Sequence, residues 1–107
     1  MTETVNQKKT NLFNAIDEGD LNKCKEELKG MITDADSLTS VKSAITSQYK
    51  AKYIELYKTN RGEANKLRQR IASVKAAADE IGKFKGNKNK SYNEYELAQI
   101  DKWIEDK

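Results

Sequence analysis

The chain has 107 residues, 35% of them charged and 7% aromatic, with no histidine or proline and a formal net charge of +3. One cysteine, Cys24, excludes an intramolecular disulfide and favours a reducing compartment. No stretch approaches the roughly 20 apolar residues of a membrane span or the apolar segment of a secretory signal. We therefore expect one cytoplasmic domain, residues 1–107, that does not contact a membrane.

Two short helices are predicted at the N-terminus. Thr4 and Gln7 have the spacing of a capping box, so a helix can begin there, and Gly19 can end it in the left-handed conformation. Asp20 can cap a second helix, which Gly30 would close. Two helices joined by a Gly-Asp pair form an αα-hairpin.

Residues 12–28, with the sequence LFNAIDEGDLNKCKEEL, resemble one helix pair of an ankyrin-type repeat. The T-P-L-H signature of that family is missing, and no second copy of the segment occurs. The resemblance therefore implies a helical hairpin and carries no function with it.

The stretch from Asp36 to Phe84 shows the clearest helical periodicity. Its apolar residues recur at steps of three and four, the period of one helix face: Leu38, Val41, Ile45, Tyr49, Tyr53, Leu56, Leu67, Ile71, Val74, Ala78 and Ile81. One helix over the whole stretch would be roughly 73 Å long and would need a coiled-coil partner. The alternative is a break near Gly62, which typical helix lengths favour and which we expect.

The C-terminal part predicts two more helical segments. Residues 63–84 form a helix whether or not the break near Gly62 exists, and residues 85–90 form a polar loop. Ser91 and Glu94 have capping-box spacing and begin a final helix with Trp103 on its inner face. The fold prediction is therefore all-α: a small helical bundle of an N-terminal hairpin, one or two long amphipathic helices and a short C-terminal helix.

Positive charge is concentrated in residues 50–90, which hold 12 basic and four acidic residues for a net charge of +8. Lys50, Arg61, Arg68 and Lys75 would lie within about 40° of one another on a continuous helix. Such a row can follow a nucleic-acid backbone or contact an acidic protein partner. The alternative is a solvated face whose cations pair with the acidic C-terminal segment, and a break near Gly62 would split the row.

Four aromatic residues are candidate interface residues as well as candidate core residues. Tyr49, Tyr53 and Tyr57 recur at steps of four, so they could stack on bases or border the core. They are in phase with the apolar stripe, which favours the core. Trp103 is either an anchor for the last helix or an interface hot spot, and we expect an anchor.

Catalytic, metal and cofactor sites are not expected. The chain has no histidine, and Cys24 lies in phase with apolar neighbours, as a buried thiol does. Residues 34–45 begin like an EF-hand loop but have Thr39 where the glycine is needed, and residues 82–89 lack the Gly-Lys-Ser/Thr of a P-loop. The remaining carboxylates, Glu96 among them, are expected on helix surfaces.

Elimination leaves a non-enzymatic protein-interaction module: an adaptor, inhibitor or small assembly factor, plausible for a phage or mobile element, with a partner that the sequence does not identify. The alternative function is nucleic-acid binding through residues 50–90. A homo-oligomer is also expected as an option, because the apolar stripe of residues 38–81 is longer than the short flanking helices can cover.

Overall fold

The structure is a computed structural model that describes residues 5–86 and 89–105. It contains five helices: α1 (Val5–Glu18), α2 (Leu21–Met31), α3 (Ala35–Thr59), α4 (Arg61–Ile81) and α5 (Tyr92–Glu105). Helices account for 86% of the described residues, and no strand occurs among them. The predicted all-α bundle with an N-terminal hairpin is confirmed.

Side-chain caps explain where the helices begin. Four residues each accept the backbone N–H of the residue three positions later: Asp20, Asp34, Asn60 and Ser91. The cap of α3 is reciprocal, since the Ser37 hydroxyl accepts the N–H of Asp34 at 2.9 Å while Asp34 accepts that of Ser37 at 2.8 Å. Each cap typically stabilises a helix by about 1 kcal/mol. The capping box predicted at Thr4 lies outside the described residues.

Two helices end at a left-handed residue. Gly19 has φ 74° after α1, as predicted, and Lys83 has φ 53° after α4. The Phe84 N–H then donates to the Asp79 carbonyl at 2.9 Å, which completes a Schellman-type end. The prediction that this helix extends to Phe84 was wrong, because Lys83 turns the chain first. The prediction that Gly30 closes α2 was also wrong, since α2 continues to Met31.

The long stretch breaks at Asn60, which confirms the break predicted near Gly62. Asn60 donates its N–H to the Leu56 carbonyl at 2.6 Å and accepts the Glu63 N–H at 3.1 Å, so it ends α3 and begins α4. The chain folds back there, and Thr46 on α3 lies against Lys75 on α4. A 73 Å helix is not formed, and the longest dimension of the molecule is 42 Å.

Helix α4 is central and packs against each of the other four helices. The apolar stripe is buried largely within this one chain, so its length no longer argues for self-association; the oligomeric state stays a prediction that sedimentation can test. Helices α3 and α5 both pack along α4 but touch each other little, which leaves a cleft between them. Among the described residues, no helix has the length and apolar character required to cross a bilayer.

Candidate functional site

The cleft between α3 and α5 has a volume of about 430 Å³, within the range of about 300–1,000 Å³ usual for ligand sites. Its walls combine hydroxyl, charged and aromatic side chains: Leu38, Thr39, Lys42, Ser43, Thr46 and Ser47 on α3, Lys75 on α4, Phe84 after α4, and Tyr95, Glu96, Gln99 and Trp103 on α5. The cleft thus brings four hydroxyls of α3 and two aromatic rings of α5 together with the Lys75 amine of the central helix.

A buried ion network joins three helices at one end of the cleft. The Lys42 Nζ lies 2.7 Å from Oδ1 of Asp79 and 2.8 Å from Oε2 of Glu96. Asp79 is 0% exposed and Glu96 is 1% exposed. The ammonium also lies 4.1 Å from the centroid of the Phe84 ring. Lys42 is therefore fully engaged by two carboxylates and an aromatic face.

The environment of Asp79 disfavours its charged form. Burial, followed by the neighbouring Glu96 carboxyl, raises the pKa of Asp79 to about 7, although Lys42 opposes the shift. Burial acts to lower the pKa of Lys42, but its hydrogen bonds to Asp79 and Glu96 raise it overall. With both carboxylates ionised, Oδ2 of Asp79 faces no donor among the described residues. A proton on Asp79 would satisfy that oxygen.

Lys75 is a second buried amine in the cleft, with only 4% of its surface exposed. Its Nζ donates to the Thr46 hydroxyl and lies 5.0 Å from the centroid of the Trp103 ring. No carboxylate of the described residues lies within ion-pairing distance of it. Burial is the main reason why the pKa of Lys75 falls to about 8. In its charged form Lys75 has three N–H donors, and only one acceptor for them, the Thr46 hydroxyl, occurs in the described part of the chain.

A shallow groove continues from the cleft along the outer face of α3. Ser47 lines both the cleft and the groove, so the two are contiguous. The groove is lined further by Lys50, Ala51, Ile54, Glu55 and Lys58. Its lining therefore combines small and apolar side chains with long charged ones.

The predicted basic row does not form one exposed surface. Lys50 and Arg61 are exposed, and the Arg61 guanidinium lies 3.7 Å from the centroid of the Tyr57 ring. Arg68 donates twice to Asp101, at 2.8 and 3.0 Å, which agrees with the alternative in which cations pair with the C-terminal segment. Lys75 is buried because it lies on the face of α4 that α3 and α5 cover. It is therefore not a surface cation.

The four aromatic candidates lie mainly in the core. Tyr49 is 2% exposed, and its hydroxyl lies 2.9 Å from Oδ1 of Asp17, which ties α3 to α1. Tyr53 is 3% exposed and packs edge-on against Trp103, with ring centroids 6.0 Å apart. Tyr57 is half-buried under Arg61. Trp103, at 7% exposure, anchors α5 as expected and also lines the cleft.

Sequence reasoning missed the ion network of Lys42, Asp79 and Glu96. Glu96 was expected on a helix surface, and that expectation is wrong because α5 turns it towards α4. One signal was present in the sequence: Glu96 is seven residues before Trp103, so both lie on the inner face of α5. Lys75 and Asp79, four residues apart beside the apolar stripe, carry the same signal on α4.

No protein-family model, curated protein or solved structure matches the chain. The ankyrin-type resemblance thus stays a local likeness of residues 12–28. The described residues contain no group of three or more metal-ligating side chains. Burial raises the pKa of the Cys24 thiol to about 11, which disfavours the thiolate that nucleophilic chemistry needs. The α3–α5 cleft remains the arrangement with the most convergent polar chemistry.

Proposed function

We propose that this protein is a non-enzymatic interaction protein, an adaptor, inhibitor or small assembly factor, which holds a segment of a protein partner in the α3–α5 cleft. The observation that supports the proposal is the cleft itself, because it continues through Ser47 into the groove on α3. Together they offer an elongated surface, and grooves of this kind hold helical or extended segments of other proteins.

The charges beside this surface favour an acidic partner segment. Lys50 and Lys58 line the groove, together with one residue of opposite charge, Glu55. The two carboxylates at the end of the cleft are already paired with Lys42. Complementary charge would mainly speed association and select against basic partners.

Affinity capture with the immobilised full chain tests this function. Ser47→Trp places a large ring where the cleft meets the groove, and Ser40→Trp is the matched control, an exposed serine of α3 outside both. We expect the wild type and Ser40→Trp to retain one defined acidic protein in high salt, with and without nuclease, and Ser47→Trp to lose it. Equal retention by both variants would contradict docking at this surface.

Nucleic-acid binding through residues 50–90 is the second candidate, supported by the exposed Lys50 and Arg61. Phosphate contacts carry no base information, so Lys50→Gln and Arg61→Gln should weaken binding to all sequences alike. The slope of log affinity against log salt should fall by about one for each contact removed. A wild-type chain that binds neither DNA nor RNA in low salt would end this alternative.

A further inference from the structure

Lys75 is a buried amine whose hydrogen-bonding capacity is not used within the described part of the chain. Its ammonium form has three donors, and Thr46 is the one acceptor that it reaches. Lys42, by contrast, lies against two carboxylates and a ring. Lys75 is 4% exposed and lines the cleft, and no carboxylate of the described residues lies within ion-pairing distance of its Nζ, so two of its three donors are unpaired in the described part of the chain. Burying a cation with unpaired donors lowers the stability of the fold, unless a ligand supplies the missing hydrogen-bond acceptors.

We propose that the base of the α3–α5 cleft is a carboxylate-binding site in which Lys75 is the anion receptor. The carboxylate is carried by a flat apolar group that packs against Tyr95 and Trp103, the aromatic side chains of α5 in the same cleft. This inference rests on the proposed binding role of the cleft. The carboxylate belongs either to a small molecule or to a side chain of the bound partner.

The chemistry of the walls favours a monocarboxylate. Ser43 and Ser47 supply hydroxyls and Gln99 supplies an amide, so the wall of the cleft holds donors for a planar anion, whereas the Thr46 hydroxyl already donates to the Lys42 carbonyl. Glu96 also lines the cleft, and its charge would repel a phosphate dianion more strongly than a single carboxylate. A volume of about 430 Å³ leaves room for an aromatic ring beside the charged group.

Protonation of the surrounding groups makes the site pH-dependent. The groups that face Lys75 are Lys42 on α3, Asp79 on its own helix, and Glu96 on α5. Two cations and two anions cancel when all four are ionised. Uptake of a proton by Asp79, whose pKa is about 7, makes the cluster positive, and loss of the Lys75 proton, with a pKa of about 8, removes the receptor. Affinity for a carboxylate therefore falls as pH rises.

Benzoate is the probe, and benzamide is its neutral counterpart of nearly the same shape. Trp103 is the single tryptophan of the chain and lines the cleft, so its fluorescence reports occupancy. We expect saturable binding of benzoate and at least about tenfold weaker binding of benzamide, the difference made by one charge-assisted hydrogen bond. Because the pKa of Lys75 is about 8, most of this amine is neutral at pH 9, so benzoate should bind several-fold more weakly there than at pH 6.5.

Lys75→Met keeps the length of the side chain without its charge, and Lys66→Met is the control on the same helix, with a side chain 74% exposed. The first variant should lose benzoate binding by about tenfold or more, and the control should not. Equal binding of benzoate and benzamide to the wild type would overturn the inference, and that comparison does not depend on a variant that folds.

The source of the carboxylate and the role of the cleft are separated by competition. If a captured partner displaces benzoate, the carboxylate is the partner's; if both bind together, it belongs to a small molecule, and Lys75 is the receptor in either case. Absence of benzoate binding, with partner capture still blocked by Ser47→Trp, would reject Lys75 as receptor and leave the proposed function in place. Benzoate binding without any partner capture would reject the protein partner alone.

Discussion

Among the side chains of α3 that reach the surface, Lys42 should be the one whose replacement by methionine destabilises the protein most. Lys42 is the one described cation within ion-pairing distance of Asp79 and Glu96, at 2.7 and 2.8 Å. Its loss leaves two carboxylates buried without a counter-ion, which typically costs about 3–5 kcal/mol. Because domains of this size have stabilities of about 5–15 kcal/mol, the midpoint of thermal unfolding should fall by more than about 10 °C.

Urea unfolding at pH 8 measures the cost, and a compensated variant identifies its cause. Lys42→Met combined with Asp79→Asn and Glu96→Gln removes the charges together, so it should recover most of the lost stability. Lys42→Met alone should also lose less stability at pH 5 than at pH 8, because protonated carboxyls need no counter-ion. Lys52→Met, at an exposed position of the same helix, is the control. A Lys42→Met variant within about 1 kcal/mol of the control would refute the ion network described above.

Three further changes have defined outcomes. The folded-state pKa of Asp79, about 7, exceeds its ordinary 3.8, so stability should fall as pH rises from about 4 to 7, and Asp79→Asn should flatten that slope in urea titrations. Gly82→Ala would place a methyl 2.7 Å from Cδ2 of Leu38 and should cost about 1–3 kcal/mol in thermal melts, whereas Gly30→Ala, with open space around it, should stabilise by up to about 1 kcal/mol. Cys24 should resist iodoacetamide at pH 8 until the chain is unfolded, and rapid labelling of the native protein would contradict its burial.

The helices and their ends were largely predictable, because they depend on local signals. Apolar periodicity identified the buried face of α3 and α4, and side-chain caps at Asp20 and Ser91 fixed two starts. The break near Gly62 was predicted because one continuous helix would be too long for a domain of this size. The residue at which the chain breaks is Asn60. Lys83 was missed as a helix end, since a left-handed lysine has no sequence signature comparable to that of glycine.

The cleft was not predictable, because it depends on how α5 lies against α3 and α4. Lys75 borders the apolar stripe, and on a helical wheel such a position can face solvent or a neighbouring helix equally well. Its burial, and that of Glu96, is decided by contacts between residues far apart in the chain. The Arg68–Asp101 pair was anticipated only as one alternative for the basic stretch.

The joint at Asn60 sets a constraint on length variation in this fold. One residue both ends α3 and begins α4, so no loop residues are available to absorb an insertion. Each added residue would rotate α4 by about 100° relative to α3 and would carry Lys75 away from Thr46. The connection between α4 and α5 differs, because α4 ends at Ile81 and α5 begins only at Tyr92, so no residue belongs to both helix ends. Insertions should therefore be tolerated after Phe84, beyond its contact with Lys42, and rejected between α3 and α4.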